Sequence, residues 1–306
     1  MSSASASTAE RIRILLNASA GTLAGMADPE AQVRDAFARA GLAVVDLHLV
    51  DAAGMDAALR AACAAEAGVL VVGGGDGTIN GAAAALAGSA CTLGVLPLGT
   101  FNHFAKDLGI PLDLPGAAAV IAAGYRRRID LAEANGRIFV NHAAIGLYVA
   151  AILERDRLVA EHGIAKRLAT VRAFIAGYRR FRRFSLRLRV GGETLQRRSA
   201  LIFAANNRYV IESYGLAGRD VPGRERLCLF VTRQRTRLAF AWMILRAIFG
   251  RTEPGRDYDM LAVTEASVRT RRRRIRIALD GEVTRMETPI RFAIRRAALS
   301  VLAPPP

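Results

Sequence analysis

Three short segments of this 306-residue chain hold residues that could do chemistry on phosphate. The first runs from Val69 to Asn80 (VLVVGGGDGTIN) and contains Gly74, Gly75, Asp76, Gly77, Thr78, Ile79 and Asn80. Consecutive glycines that leave a buried apolar strand and open a helix let the backbone approach an anion closely. They also aim free N–H groups and the positive helix end at it. A plain strand-to-helix turn would use the same glycines. Asp76 adds a constraint, because a carboxylate inside a phosphate loop repels its ligand unless a divalent cation lies between them. The aspartate therefore implies Mg²⁺, directly or through water. The spacing is neither GxxxxGK[ST], since no lysine follows, nor GxGxxG, since Asn80 stands where the third glycine would be.

The second segment, Leu96 to Ala105 (LPLGTFNHFA), follows the next apolar run. It would bring Gly99, Thr100 and Asn102 to the carboxyl end of a strand, where α/β sheets place their ligands. Thr100 and Asn102 could equally cap the helix that follows. The third is Asp280-Gly281-Glu282, two acids in a tight turn at the end of a strand. Phosphoryl transfer to an alcohol needs a base near the hydroxyl, and either carboxylate could serve; an Asp-Gly hairpin turn is the alternative.

Positioning these segments is a matter of periodicity. From Ile12 to about Ile121, short apolar runs alternate with amphipathic helical stretches, as a parallel α/β sheet requires. Strands are expected at Arg13 to Leu16, Val44 to Leu49, Val69 to Val72 and Thr92 to Leu96. Asp28-Pro29-Glu30 reads as a helix start, with a cap, a proline that loses no needed donor and an acid at the positive end. That helix should reach about Ala40, with Gly41 past its end, and a second should run from Met55 to Glu66. After Ile129-Asp130-Leu131 the texture becomes β-rich. Phe184 to Val190 (FSLRLRV) and Arg274 to Leu279 (RIRIAL) alternate apolar residues with arginine, the period of half-buried strands. Ile290 to Leu302 could return to either domain.

The formal charge is +16, carried almost wholly by arginine, since Lys106 and Lys166 are the only lysines. Such a surface attracts polyanions: nucleic acid, nucleotide phosphates or anionic lipid headgroups. Cys63, Cys91 and Cys228 lack the spacing of a zinc site or a disulfide framework. The start, MSSASASTAE, has no apolar core of a signal peptide and reads as a solvated tail over residues 1–10. Nothing is long and apolar enough to span a membrane; the apolar run Leu238 to Phe249 is short and contains Arg246. It reads as a core helix, or, with Trp242 among its aliphatics, as an apolar contact to a membrane.

Taken together and in order, the three segments resemble the bacterial diacylglycerol and lipid kinase family, related to sphingosine kinases. The resemblance extends over nearly the whole chain. It implies an α/β nucleotide-binding domain over 11–130 and a β-rich, sandwich-like second domain over 131–289, with ATP in a cleft between them. It also implies that the C-terminal segment 290–306 rejoins the first domain. Asp76 and Thr78 look like part of that family's nucleotide loop, and Pro97 to Asn102 like its second loop. Asn17 belongs to the opening loop, and Asp130 to the water and Mg²⁺ network around the nucleotide. Asp280 and Glu282 form the catalytic acidic turn. This sequence departs from the pattern at Ala18, where a proline usually follows the asparagine, and at His103, where many members have aspartate. It departs again at Arg224-Glu225, where several carry an Asp-Gly pair of a structural Mg²⁺ site.

The expected activity is ATP-dependent, Mg²⁺-dependent phosphorylation of a hydroxyl on a diacylglycerol-like or sphingoid lipid. The rivals are a kinase for a soluble acceptor such as NAD, whose kinases share a GGDG loop, and a catalytically silent lipid- or nucleotide-binding relative. The basic-aromatic run Tyr178 to Phe184 and the cluster Arg269 with Arg271 to Arg274 read as solvated faces, or as a surface for an anionic membrane. No nucleic acid is expected as partner, and no stable protein partner beyond a second copy of the chain. A cytoplasmic protein peripheral to the inner membrane face fits this reading.

Overall fold

The computed structural model describes residues 12–64, 68–162, 172, 182–206 and 226–305. The tail over 1–10, Tyr178 to Phe181 of the basic-aromatic run and Arg224-Glu225 lie outside these residues. The chain forms two compact units, one up to Asp130 and again from Arg296, the other over Leu131–Arg295.

In the first unit, local signals become elements. Pro29 opens α1 (Pro29–Arg39), where the Asp28 carboxylate accepts the Ala31 N–H at 3.0 Å, and Gly41 follows at φ 80°. Around it stand β1 (Ile12–Asn17), β2 (Val44–Val50), α2 (Met55–Ala64), β3 (Val69–Gly74), α3 (Asp76–Leu86), β4 (Thr92–Pro97), α4 (His103–Leu108) and α5 (Leu114–Ala123). The strands lie parallel in the order β2-β1-β3-β4. β3 and β4 are buried along their whole length, which is why they read as continuous apolar runs. α1 packs with α5 and α2 with α3. The order places the carboxyl ends of β3 and β4 side by side, and both glycine segments leave from there.

The second unit is antiparallel. β5 (Arg126–Ala134) leads into it, followed by β6 (Arg137–Phe139), β7 (His142–Gly146), α6 (Leu147–His162), β8 (Phe184–Val190), β9 (Glu193–Ser199), β10 (Leu201–Ala205) and β11 (Leu227–Thr232). Then come α7 (Arg237–Ile248), β12 (Tyr258–Val263), β13 (Glu265–Thr270), β14 (Arg274–Leu279), β15 (Glu282–Glu287) and β16 (Ile290–Leu302). Six strands form one sheet, β12-β11-β10-β7-β14-β15, with every pairing antiparallel. β8 lies between β9 and β13, and β13 pairs with the first residues of β16. Leu188, Val268, Ile290 and Phe292 of this second layer share a core with Ile202, Leu229 and Ile277 of the six-stranded sheet. The far end of β16 runs parallel to β4, Ser300 opposite Thr92.

One buried ion pair holds α7 in place. Asp257 is fully buried and accepts from the Arg246 guanidinium, from Gln234 Nε2 at 3.4 Å and from the Glu253 N–H at 3.1 Å. Removing one partner of a buried pair strands the other. Asp257→Ala should therefore cost roughly 3 kcal/mol. In thermal unfolding this would appear as a drop of roughly 10 °C.

Candidate active site

In the first unit, a pair of loops is fastened together. Asp76, the first residue of α3, accepts the N–H of Asn102 on Oδ2 at 3.0 Å and that of His103 on Oδ1 at 2.7 Å. A carboxylate that takes backbone donors at the start of α4 is favoured there by the helix dipole as well. Asn102, at φ 52°, does not cap α4 with its side chain. Its Oδ1 accepts the Gly99 N–H at 2.9 Å, and its Nδ2 donates to the carbonyls of Gly99 at 2.9 Å and Pro97 at 3.2 Å. The residue is thus a clamp that closes its own turn, neither the cap nor the outward-facing ligand group that its position suggested.

Gly99 and Gly75 touch. A Cβ on Gly99 would lie 2.5 Å from the Gly75 Cα, so the two backbones approach as closely as glycine alone permits. Gly75 caps α3 without a side-chain bond, and no described residue accepts the N–H groups of Asp76, Gly77 or Thr78. A Cβ on Gly77 would meet nothing within 4 Å. Three N–H donors at the positive end of an eleven-residue helix, with no described acceptor and beside a glycine contact, make a cradle that fits phosphate oxygens. Asn17 reaches this loop from β1, donating through Nδ2 to Thr78 Oγ1 at 2.7 Å, while its Oδ1 holds the Ser19 N–H at 2.9 Å. Ile79 contributes no donor, because its side chain is in the core and its N–H bonds the Gly75 carbonyl at 3.1 Å. Asn80 is buried on the same helix, and Thr100 is exposed at the second loop.

His103 stacks on the exposed ring of Phe101, centroids 5.6 Å apart. Burial lowers its pKa against the pull of Asp76, and Lys106 adds to the lowering, so the imidazole is held neutral at pH 7. Asp130 accepts the Ala297 N–H at 2.7 Å, so one of its oxygens is committed to the returning strand. Among the described residues no three His, Cys, Asp or Glu side chains gather into a metal cage. A Mg²⁺ held chiefly by phosphate oxygens and water would need no such cage.

The acidic turn lies in the second unit. Asp280 and Gly281, at φ 49° and 90°, form the two-residue turn between β14 and β15, so the hairpin reading is correct as far as it goes. The same aspartate gathers three backbone donors: Val140 N–H on Oδ2 at 2.7 Å, Asn141 N–H on Oδ1 at 2.8 Å and His142 N–H on Oδ1 at 2.9 Å. Its own N–H returns a bond to the His142 carbonyl at 2.8 Å. An ionised carboxylate accepts about four such bonds, so one direction on Oδ2 stays available. Burial raises its pKa to about 6, the three N–H donors pulling it down and Glu282 adding to the rise. Glu282 itself is exposed. The two acids, interchangeable in the sequence, therefore have unlike surroundings.

Some neighbours carried no recognisable signal. His142 has the appearance of an ordinary histidine in the sequence. Yet its Nε2 meets Tyr148 Oη at 3.2 Å, and its ring stacks on Phe203 at 4.9 Å, directly behind the Asp280 turn. Asn206, buried, ties Val140 and Asn141 from behind through bonds of 3.0 Å to their carbonyls.

An α/β unit with two glycine loops at its strand ends, followed by an antiparallel unit, is a fold shared with solved structures. A diacylglycerol kinase structure from Bacillus anthracis matches 98% of this chain and 98% of its own with a TM-score of 0.67 at 17% identity. Another chain from that organism reaches a TM-score of 0.73 at 21% identity. Residues 11–134 match the model of the diacylglycerol kinase catalytic domain. A diacylglycerol kinase of Bacillus subtilis is 41% identical over 121 residues, 38% of this chain and 39% of that one. A probable YegS-like lipid kinase of Pseudomonas aeruginosa is 50% identical over 88 residues, 28% of each. The aligned stretches span well under half the length of these relatives.

Proposed function

We propose that this protein is an ATP-dependent lipid kinase that moves the γ-phosphoryl group to the hydroxyl of a diacylglycerol-like or sphingoid lipid. The observation that carries the reading is the fastened pair of glycine loops, with three helix N–H groups and an empty Cβ position at Gly77. Bound Mg·ATP would supply the phosphoryl group and the countercharge for its transfer. The chain's own part is chiefly positioning. The N–H groups of Asp76, Gly77 and Thr78 receive phosphate oxygens, and Asn17 holds Thr78 in place. Asp76 keeps the second loop against the first and, with Asp130, is the proposed contact to the metal's water shell. Asp280 takes the proton of the acceptor hydroxyl through its remaining Oδ2 direction, and Glu282 tunes the affinity of Asp280 for that proton.

ADP release measured with detergent micelles containing diacylglycerol, with micelles alone and with NAD separates the readings. Release that requires the lipid is the expected result. Release that requires NAD instead would remove the lipid acceptor, and no release under any condition would remove the kinase assignment.

A further inference from the structure

The 237–248 helix is apolar on two opposite faces, and only one of them is used. Phe240 and Met243 are buried against Ala200, with Leu147 and Ile244 packed beside them. Facing away, Leu238, Trp242, Leu245 and Phe249 are 65, 56, 42 and 67% exposed. Spacings of four, three and four residues align these side chains in a single stripe along the helix. A lone exposed leucine is ordinary, but four large apolar residues in line on a packed helix are not. The helix is too short to cross a membrane, and no described helix qualifies as a span. A stripe of this kind suits a helix lying flat in an interface.

The charge around the stripe says what kind of interface. Arg235, Arg237 and Arg251 flank the helix ends, and no described acid pairs with them. Beside the helix opens a groove of about 1,240 Å³ whose described lining contains nine arginines and one acid, Asp259. Across β8 and β13, Arg187 stands directly opposite Arg269, a like-charge pair that costs stability unless an anion joins it. Arg183 Nε is buried there without an acceptor among the described residues. Burial, with Arg198 and Arg235 nearby, holds that guanidinium below its usual pKa. Phosphate oxygens supply what these groups lack. A smaller hollow of about 620 Å³, lined in part by Trp242, shares Arg233 and Arg256 with the groove, so stripe and groove are one continuous surface.

We propose that α7 and this arginine groove dock the protein on an anionic phospholipid bilayer, the stripe entering the headgroup layer and the groove receiving lipid phosphates. The inference gives the lipid-kinase reading its route to substrate and rests on that reading for its purpose, though not for its test. Nucleic acid would satisfy the arginines and leave the stripe in water. A second copy would cover the stripe and bring like charges together.

Trp242 is the only tryptophan in the chain, so its emission reports on the stripe directly. With the full chain and no ATP, vesicles of equal parts phosphatidylglycerol and phosphatidylcholine should co-sediment the protein and shift Trp242 emission to the blue. Binding should be at least about ten-fold weaker with phosphatidylcholine alone and should fall as salt rises. Leu238→Ser with Phe249→Ser, both on the surface, should weaken binding about ten-fold and leave the fold intact. Arg187→Gln with Arg269→Gln should abolish the preference for phosphatidylglycerol and raise Tm, because the facing charges are gone. The proposal is overturned by absence of vesicle binding at low salt. It is equally overturned by a blue shift that follows protein concentration without vesicles, the mark of a second copy, or by duplex DNA reproducing the shift. Vesicle binding without lipid-dependent ADP release would leave the docking surface standing and remove the kinase reading. Phosphorylation of micellar lipid without vesicle binding would do the reverse.

Discussion

Asp280→Asn is expected to lower the rate of phosphoryl transfer by about a hundred-fold or more while leaving ATP affinity within about three-fold of the parent. Asparagine tolerates the left-handed backbone found at Asp280, φ 49°, so the hairpin should keep its shape. Its Oδ1 can go on accepting the Asn141 and His142 N–H groups, while the amide NH₂ faces the Val140 N–H and loses that one bond. One such loss costs about 1–3 kcal/mol. Relief from burying a charge offsets part of it, so the variant should fold. What disappears is the ability to take a proton. Isothermal titration with a non-hydrolysable ATP analogue, beside the rate of ADP release, separates the two effects. Nucleotide affinity falling in step with the rate would show that Asp280 supports binding and does not act as base.

The same residue predicts a pH profile. A base works only when deprotonated, so activity should rise through about pH 6, the raised pKa of Asp280, and level off above it. Glu282→Gln removes a charge that contributes to the rise, so the limb should move to lower pH with less than about a ten-fold loss in plateau rate. Stability follows the opposite sign. Between the ordinary value of 3.8 and about 6, the folded state binds more proton than the unfolded one, so this group's contribution falls as pH rises across that window. The full change amounts to roughly 3 kcal/mol. An acid limb unmoved by Glu282→Gln would show that a different group sets it.

Where the fold was legible in the sequence, the signals were local. Asp28 with Pro29 starts a helix through atoms three residues apart, and Asp280-Gly281 makes a hairpin through its own dihedral angles. β3 and β4 are recognisable because complete burial leaves no polar alternation. What the sequence concealed depends on distant partners. Nothing near Asp280 in the chain shows that it will gather the N–H groups of residues 138 to 140 positions away. Asn102 could have capped, faced a ligand or closed its turn, and the choice turns on Asp76, 26 residues earlier, occupying the N–H groups that begin α4. α7 shows the limit most sharply. Leu238, Trp242, Leu245 and Phe249 are as apolar as Phe240 and Met243, and only the packing against Ala200 decides which face is core. The core-helix expectation is therefore right for one face and wrong for the other.

Two glycines of the nucleotide loops should respond to the same substitution in different ways, and the contrast tests the cradle itself. In Gly99→Ala the new Cβ would lie 2.5 Å from the Gly75 Cα and 2.8 Å from Asn102 Oδ1. Both loops must part, the bonds from Asp76 to the Asn102 and His103 N–H groups stretch, and overpacking of this kind costs about 1–3 kcal/mol. Stability and nucleotide binding should fall together. In Gly77→Ala the Cβ meets no protein atom within 4 Å, and alanine is the better helix former by about 0.8–1.0 kcal/mol. Tm should therefore hold or rise. The methyl group nevertheless occupies the space above the N–H groups of the first turn of α3, where phosphate oxygens would sit, so affinity for ATP should fall at least about ten-fold. Thermal unfolding with and without ATP reads both properties in one experiment. A Gly77→Ala protein stabilised by ATP as strongly as the parent would mean that the opening of α3 is an ordinary turn, and the phosphate site would have to be sought elsewhere in the chain.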